Sequence, residues 1–236
     1  IADSLKAGRV DGFCVGQPWN SVAVADGKGV IVATKSELWA RSPEKVLGVR
    51  ETWARRNPDL VRDLVRALVA AERWLDQPAN RREAARILAQ PAYVGVAEEI
   101  LVRPLTGALV RGGRQADVSD PDLVVFHRGF ASFPWRSHAI WLMTQMIRWG
   151  QIREPFDLRA LAERVYRTDL YRESVGGTDV NVPPSDSKPE GADADGGAAA
   201  FFGDGAFDPD GAVAYLRRLE IRNSAVDLDA FAALNP

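Results

Sequence analysis

Apolar residues recur along this chain with two different periods. Near the start, residues 10–16 (VDGFCVG) set Val10, Phe13 and Val15 in a short strand pattern. GQPW ends it, because Pro18 has no N–H to give to a sheet ladder. Residues 29–34 (GVIVAT) form a continuous apolar run rich in β-branched side chains and predict a second short strand. Residues 1–8 (IADSLKAG) read as the end of a helix closed by Gly8.

After Thr34 the period becomes helical. Ser42-Pro43-Glu44 is a helix start by composition, with a serine cap and proline in the first turn. Asn57-Pro58-Asp59 opens another helix, whose Leu60, Val61, Leu64, Val65, Leu68, Val69 and Leu75 are predicted to share one stripe. Asn80 and Glu83 have capping-box spacing before residues 84–89, and a short helix is expected around residues 96–102. Residues 137–149 (SHAIWLMTQMIRW) are apolar on almost all sides, which predicts a buried helix stopped by Gly150, with Trp135, Trp141 and Trp149 in the core. Residues 157–172 predict one further amphipathic helix. From 176 to about 205 glycine, alanine, aspartate, serine and proline dominate, so an extended tail is expected, with a short terminal helix at 212–219.

Two strands followed mainly by helix cannot make a stable sheet without further partners, so part of a sheet is expected to lie outside these residues. The bulk numbers are those of a globular protein: 46% hydrophobic and 26% charged residues. The net charge of -2 argues against a nucleic-acid binder, and the arginines at Arg55, Arg56, Arg81 and Arg82 read as solvated helix faces. The single cysteine, Cys14, excludes an internal disulfide and reads as a small buried hydrophobe. No apolar run reaches the roughly 20 residues of a membrane-spanning helix. With Ile1 first and no leader or lipid-attachment cysteine beside it, an internal start is the expectation.

His127 and His138 lack partners at metal-ligand spacing, and His138 reads as a satisfied core residue. Asp208-Pro209-Asp210-Gly211 fails as a calcium loop: Ala206 holds the first ligand position and Arg217 the twelfth, where a glutamate is required. No catalytic triad order, phosphate-binding glycine loop or carboxylate pair is present, so neither an enzyme nor a cofactor is expected.

Four stretches carry a resemblance in register: residues 11–20 (DGFCVGQPWN), 38–58 (LWARSPEKVLGVRETWARRNP), 74–96 (WLDQPANRREAARILAQPAYVGV) and 133–152 (FPWRSHAIWLMTQMIRWGQI), with KPEG and AFDPDG in the tail. Together they resemble the nitrate- and bicarbonate-binding proteins of ABC transporters and their cytoplasmic nitrate-sensor relatives. The resemblance implies an α/β fold of the type II periplasmic-binding-protein class, here a carboxy-terminal fragment, mostly helical with a few strands. On that mapping residues 1–16 finish the second lobe, 17–175 form the carboxy-terminal portion of the first lobe, and 176–236 form the tail. The implied ligand site, between the lobes, takes Lys45 of the PEK motif and the backbone at Gly16. Gln17, which stands where glutamate is usual, and Trp19, which either stacks on a flat anion or packs the hinge, lie beside them.

Lys45 makes physical sense as an anion ligand. With Ser42 as cap it is the third helical residue, where free N–H groups and the positive dipole end gather. Without the resemblance it reads as a surface lysine on a solvated first turn. Bicarbonate binders of the family tend to carry an acid here, so lysine favours nitrate or nitrite. The implied partners are that anion and the membrane subunits of an ABC importer, at the periplasmic face or anchored to it. The alternative is a cytoplasmic nitrate sensor that holds an antitermination regulator. An enzyme of the thiamine-pyrimidine synthesis type shares the fold but would need a lysine and histidine pair that the chain does not offer.

Overall fold

A computed structural model describes residues 4–5, 7–39, 42–191, 206–222 and 225–236. In chain order the helices are α1 Trp19–Ala25, α2 Lys35–Leu38, α3 Glu51–Arg56, α4 Pro58–Leu75, α5 Arg81–Leu88, α6 Glu98–Leu105, α7 Arg136–Arg148, α8 Leu158–Val165, α9 Thr168–Val175, α10 Ala212–Arg217 and α11 Leu228–Leu234. Strands β1 (Ala108–Leu109) and β2 (Val118–Ser119) pair antiparallel, with Ala108 opposite Ser119 and Leu109 opposite Val118. The chain divides into two compact units: Ile1–Ser36 with Ala70–Ala131, and Glu37–Val69 with Ser132–Pro236.

In the first unit α5 packs on α6, and α1 also contacts α6. The strand expected at 10–16 is not formed, and neither is the one at 29–34. The physical reason is the lack of a neighbour: in 29–34 the ladder amounts to the Ile31 N–H donating to the Arg111 carbonyl at 2.9 Å. Cys14, expected inside, is exposed. The helix end expected over 1–8 lies partly outside the described residues; Ser4 and Leu5 are helical and Gly8 follows at φ +67°. The short β1–β2 ladder was not foreseen. It is closed by Gly107 at φ +84°, where a Cβ would meet the Asp120 carbonyl oxygen at 2.3 Å, so only glycine fits.

In the second unit α7 is the central helix. Its Ile140, Met143 and Ile147 pack with Leu158 and Ala162 of α8, Val213 and Leu216 of α10, Phe231 of α11, and Phe207. Phe207, Leu216 and Phe231 are fully buried, each contributing roughly 1.5–3 kcal/mol of apolar transfer. Thus the tail beyond 206 is part of a core. Its second helix, α11, was missed because seven residues carry too short a pattern. Asn235 at its end accepts from the Leu158 N–H at 2.8 Å and donates to the Phe156 carbonyl at 3.0 Å. Residues 177–189 run without helix or strand, as the composition predicted, but Pro183 is fully buried. The rest of the expected extended stretch, 192–205, lies outside the described residues.

Three helix expectations need correction here. α7 is not buried all round: Leu142, Met146 and Trp149 are exposed, and Arg148 and Arg222 stack on the Trp149 ring. The helix expected over 157–172 breaks at Tyr166 and Arg167, whose ψ angles are 87° and 73°. The break lets α8 serve the α7 core while Tyr171 and Val175 of α9 join Val69, Phe133 and Trp135 in a second cluster. On α4 the expected single stripe divides. Val61 and Val69 are buried, with Val65 packed on that second cluster, whereas Leu60, Leu64 and Leu68 face solvent.

Candidate functional site

The helix start expected at Ser42-Pro43-Glu44 is not made. Residues 42–50 are irregular and helix begins at Glu51, in α3. β-branched Val46 and Val49 together with Gly48 are poor helix formers, while Glu51 puts an acid in the first turn, where the dipole favours it. Lys45 therefore has no helix terminus behind it. Its side chain is 75% exposed and its ammonium donates to Glu44 Oε1 at 2.7 Å, the glutamate being 53% exposed. Such a pair contributes at most about 1 kcal/mol and opens readily, so the cation is reachable by an anion that competes with Glu44.

Gly16, Gln17 and Trp19 lie together at the entry to α1, in the first unit, whereas Lys45 belongs to the second. The Trp19 N–H donates to the Gly16 carbonyl at 3.3 Å, folding the GQPW turn. Gln17 Oε1 accepts from the Ser21 hydroxyl at 2.8 Å, which fixes the side chain and leaves its amide N–H pair to other acceptors. Trp19 is 51% exposed among the described residues.

Two buried carboxylates stand in contrast. Asp76 accepts the backbone N–H groups of Phe126 (3.0 Å), His127 (2.7 Å) and Arg128 (2.7 Å) and pairs with Arg81 at 3.1 Å. Burial would raise its pKa. The three N–H donors and the Arg81 guanidinium outweigh that and hold the carboxyl below its ordinary value. Arg81, expected on a solvated face, is buried; it also donates to the Leu105 and Val124 carbonyls at 3.1 and 3.2 Å and lies over the Phe126 ring. Asn80 makes no cap: its amide donates to the Trp74 carbonyl, and Glu83 pairs with Arg86 instead. Neighbouring His127 is held below the ordinary imidazole value, first by burial and then by the Arg73 cation.

The second carboxylate, Glu190, joins the two tail motifs to α7. The N–H and carbonyl of Glu190 pair with those of Phe207, linking KPEG to AFDPDG. Its side chain is 1% exposed, accepts from Ser137 Oγ at 2.6 Å and pairs with Lys188, while His138 Nε2 stands 3.3 Å away without the alignment of a hydrogen bond. Burial pushes its pKa up, and His138 and Lys188 more than reverse the effect. Both networks were missed as such, though each sits in a stretch that carried the resemblance. A lone Asp or Glu gives no sign of burial when most of its partners lie dozens of residues away, as His127 does for Asp76 (51) and Ser137 for Glu190 (53). Among the described residues no group of three or more His, Cys, Asp or Glu side chains could hold a metal ion, and no helix is long and apolar enough to cross a membrane.

Comparison with known proteins gives a consistent set of relatives. The NMT1-like family matches residues 1–89. The nitrate/nitrite binding protein NrtA of Synechococcus elongatus is 36% identical over 222 residues, 93% of this chain and 48% of that protein. The nitrate import ATP-binding protein NrtC of Synechocystis is 38% identical over 177 residues, 74% of this chain and 26% of that protein. The crystal structure of the periplasmic nitrate-binding protein NrtA from Synechocystis PCC 6803 superposes with a TM-score of 0.84 at 31% identity, covering 94% of this chain and 56% of that one. The chain thus spans about half the length of the binding proteins it matches.

Proposed function

We propose, from the premise that this chain belongs to the family of nitrate- and bicarbonate-binding proteins of ABC transporters, that it forms part of a receptor for nitrate or nitrite serving an importer. The observation that carries this reading is the superposition on a nitrate-binding protein over 94% of the chain. The reading is of a receptor that binds and releases its anion unchanged, without enzymatic chemistry. Its partners are the membrane subunits of the importer, met at the periplasmic face. An importer is favoured over a cytoplasmic sensor because the relatives include a periplasmic protein and an import ATPase.

Within that receptor Lys45 supplies positive charge and N–H donors to the anion. Support comes from its exposure and from the weakness of its single ion pair with Glu44. The Gly16 backbone, the amide N–H groups of Gln17 and the face of Trp19 are the further contacts proposed from this chain. A planar monoanion suits this set, which offers donors, a cation and a flat ring. Calorimetry with nitrate, nitrite and bicarbonate, on the chain together with the half of the fold it does not span, tests the reading. Binding of nitrate or nitrite with rejection of bicarbonate is expected, and heat from bicarbonate alone would overturn it.

A further inference from the structure

Ser21 stands one turn of helix beyond Gln17 and holds one arm of that side chain. Its hydroxyl donates to Gln17 Oε1 at 2.8 Å, and its own N–H donates to Asn20 Oδ1 at 3.1 Å. A glutamine amide has an acceptor oxygen on one arm and two N–H donors on the other, and half a turn about its last torsion exchanges them. The Ser21 hydroxyl breaks that symmetry. With Oε1 as its acceptor, the Nε2 arm is directed away from Ser21, and among the described residues nothing accepts from it. Two half-buried residues thus fix which end of Gln17 is on offer.

The groups proposed beside it have the same character. The Gly16 carbonyl already accepts from the Trp19 N–H at 3.3 Å, so the Gly16 backbone has its N–H left to give. Lys45 brings three donors and no acceptor. Nitrate and nitrite present acceptors only, so each of these donors finds a partner. Bicarbonate presents one O–H as well, and an O–H enclosed by donors is left unpaired, a mismatch that polar sites reject strongly. A glutamate at position 17 would present acceptors on both arms, and no bond from Ser21 could turn it into a donor. We infer that Ser21 is a positioning residue for the anion, resting on the reading of Gly16, Gln17 and Lys45 as its ligands. By holding Oε1 it sets Gln17 as a donor and biases the site toward anions that carry no proton.

Two measurements test this role. In the chain alone, heteronuclear NMR relaxation of the Gln17 side-chain amide reads the orientation without any anion. The parent amide is ordered. Ser21→Ala drops its order parameter below about 0.6, and Ser21→Thr, which keeps the hydroxyl, holds it near the parent value. In the whole receptor, calorimetry with nitrate and with bicarbonate reads the consequence. Ser21→Ala weakens nitrate binding at least about fivefold, the net worth of one hydrogen bond. It weakens bicarbonate less, because a released amide turns its oxygen toward the O–H. Gln17→Glu narrows the ratio of nitrate to bicarbonate affinity further. A merely structural role would lower both affinities by the same factor, and that result overturns the assignment. So does an unchanged ratio in Ser21→Ala, or a Gln17 amide as ordered in that variant as in the parent. A parent receptor that binds no nitrate overturns the reading of the ligands, and the role of Ser21 with it.

Discussion

The Asp76–Arg81 pair and the Lys45–Glu44 pair join the same kinds of charge, and the pair with the longer contact matters more to the fold. Arg81 and Asp76 are 3.1 Å apart with side chains 6% and 8% exposed; Lys45 and Glu44 are 2.7 Å apart with side chains 75% and 53% exposed. Distance therefore ranks them wrongly. In water the short pair loses its Coulomb energy to the high dielectric and to the entropy of holding two long side chains still. Inside, Asp76 has lost its hydration and depends on every donor around it. One pair is structural and cannot be disturbed cheaply. The other leaves a cation exposed to solvent.

The comparison breaks most visibly at Asp76. Asp76→Ala strips Arg81 of its counter-charge and leaves three N–H groups at 126–128 without acceptors. It should cost at least about 3–5 kcal/mol, read as a lower urea midpoint or failure to fold. Arg81→Met is the milder half of the test. It leaves Asp76 buried but still bonded to the three N–H groups, so a loss near the lower end, about 3 kcal/mol, is expected. If Asp76→Ala is no worse than Arg81→Met, the N–H groups contribute nothing and the account of Asp76 fails.

Acid should reveal the same difference. Asp76 and Glu190 both have folded pKa values depressed below their ordinary ones. Their stabilisation is fully present above the unfolded values of about 3.9 and 4.3 and is lost as pH falls through the lower folded values. Urea midpoints measured downward from about pH 5 should fall steeply. In Glu190→Gln the acid dependence should be shallower, since one of the depressed carboxyls is gone. An acid limb identical to the parent would show that Glu190 carries none of it.

Legibility from sequence followed the range of the interactions. α4 opened at Pro58 and α7 stopped before Gly150 as expected, because a proline in a first turn and a glycine at φ +72° act locally. Strands at 10–16 and 29–34 were misread because a strand depends on a neighbour that the pattern does not contain. Arg81 was misplaced because charge alone suggests solvent, and its partners at Leu105 and Val124 come from 24 and 43 residues away. The resemblance located the candidate site, yet the stated reason for Lys45, a helix start at Ser42, did not survive; Val46, Gly48 and Val49 oppose helix there. What remains for Lys45 is its exposure and a weak pair.

That weakness gives the smallest stability effect and the most direct test of the site. Lys45→Gln should change folding stability by no more than about 0.5 kcal/mol, because an exposed pair contributes little. In the completed receptor it should lower nitrate affinity at least about tenfold, the loss of a charged hydrogen bond of about 1.5 kcal/mol or more. Glu44→Gln removes the competing carboxylate and should raise affinity, by a factor that shrinks as salt is added. The two variants must move in opposite directions for the exposed pair to be the anion's cation. If both leave affinity unchanged while Asp76→Ala unfolds the chain, then the exposed pair is ordinary surface and Lys45 is not the anion's cation.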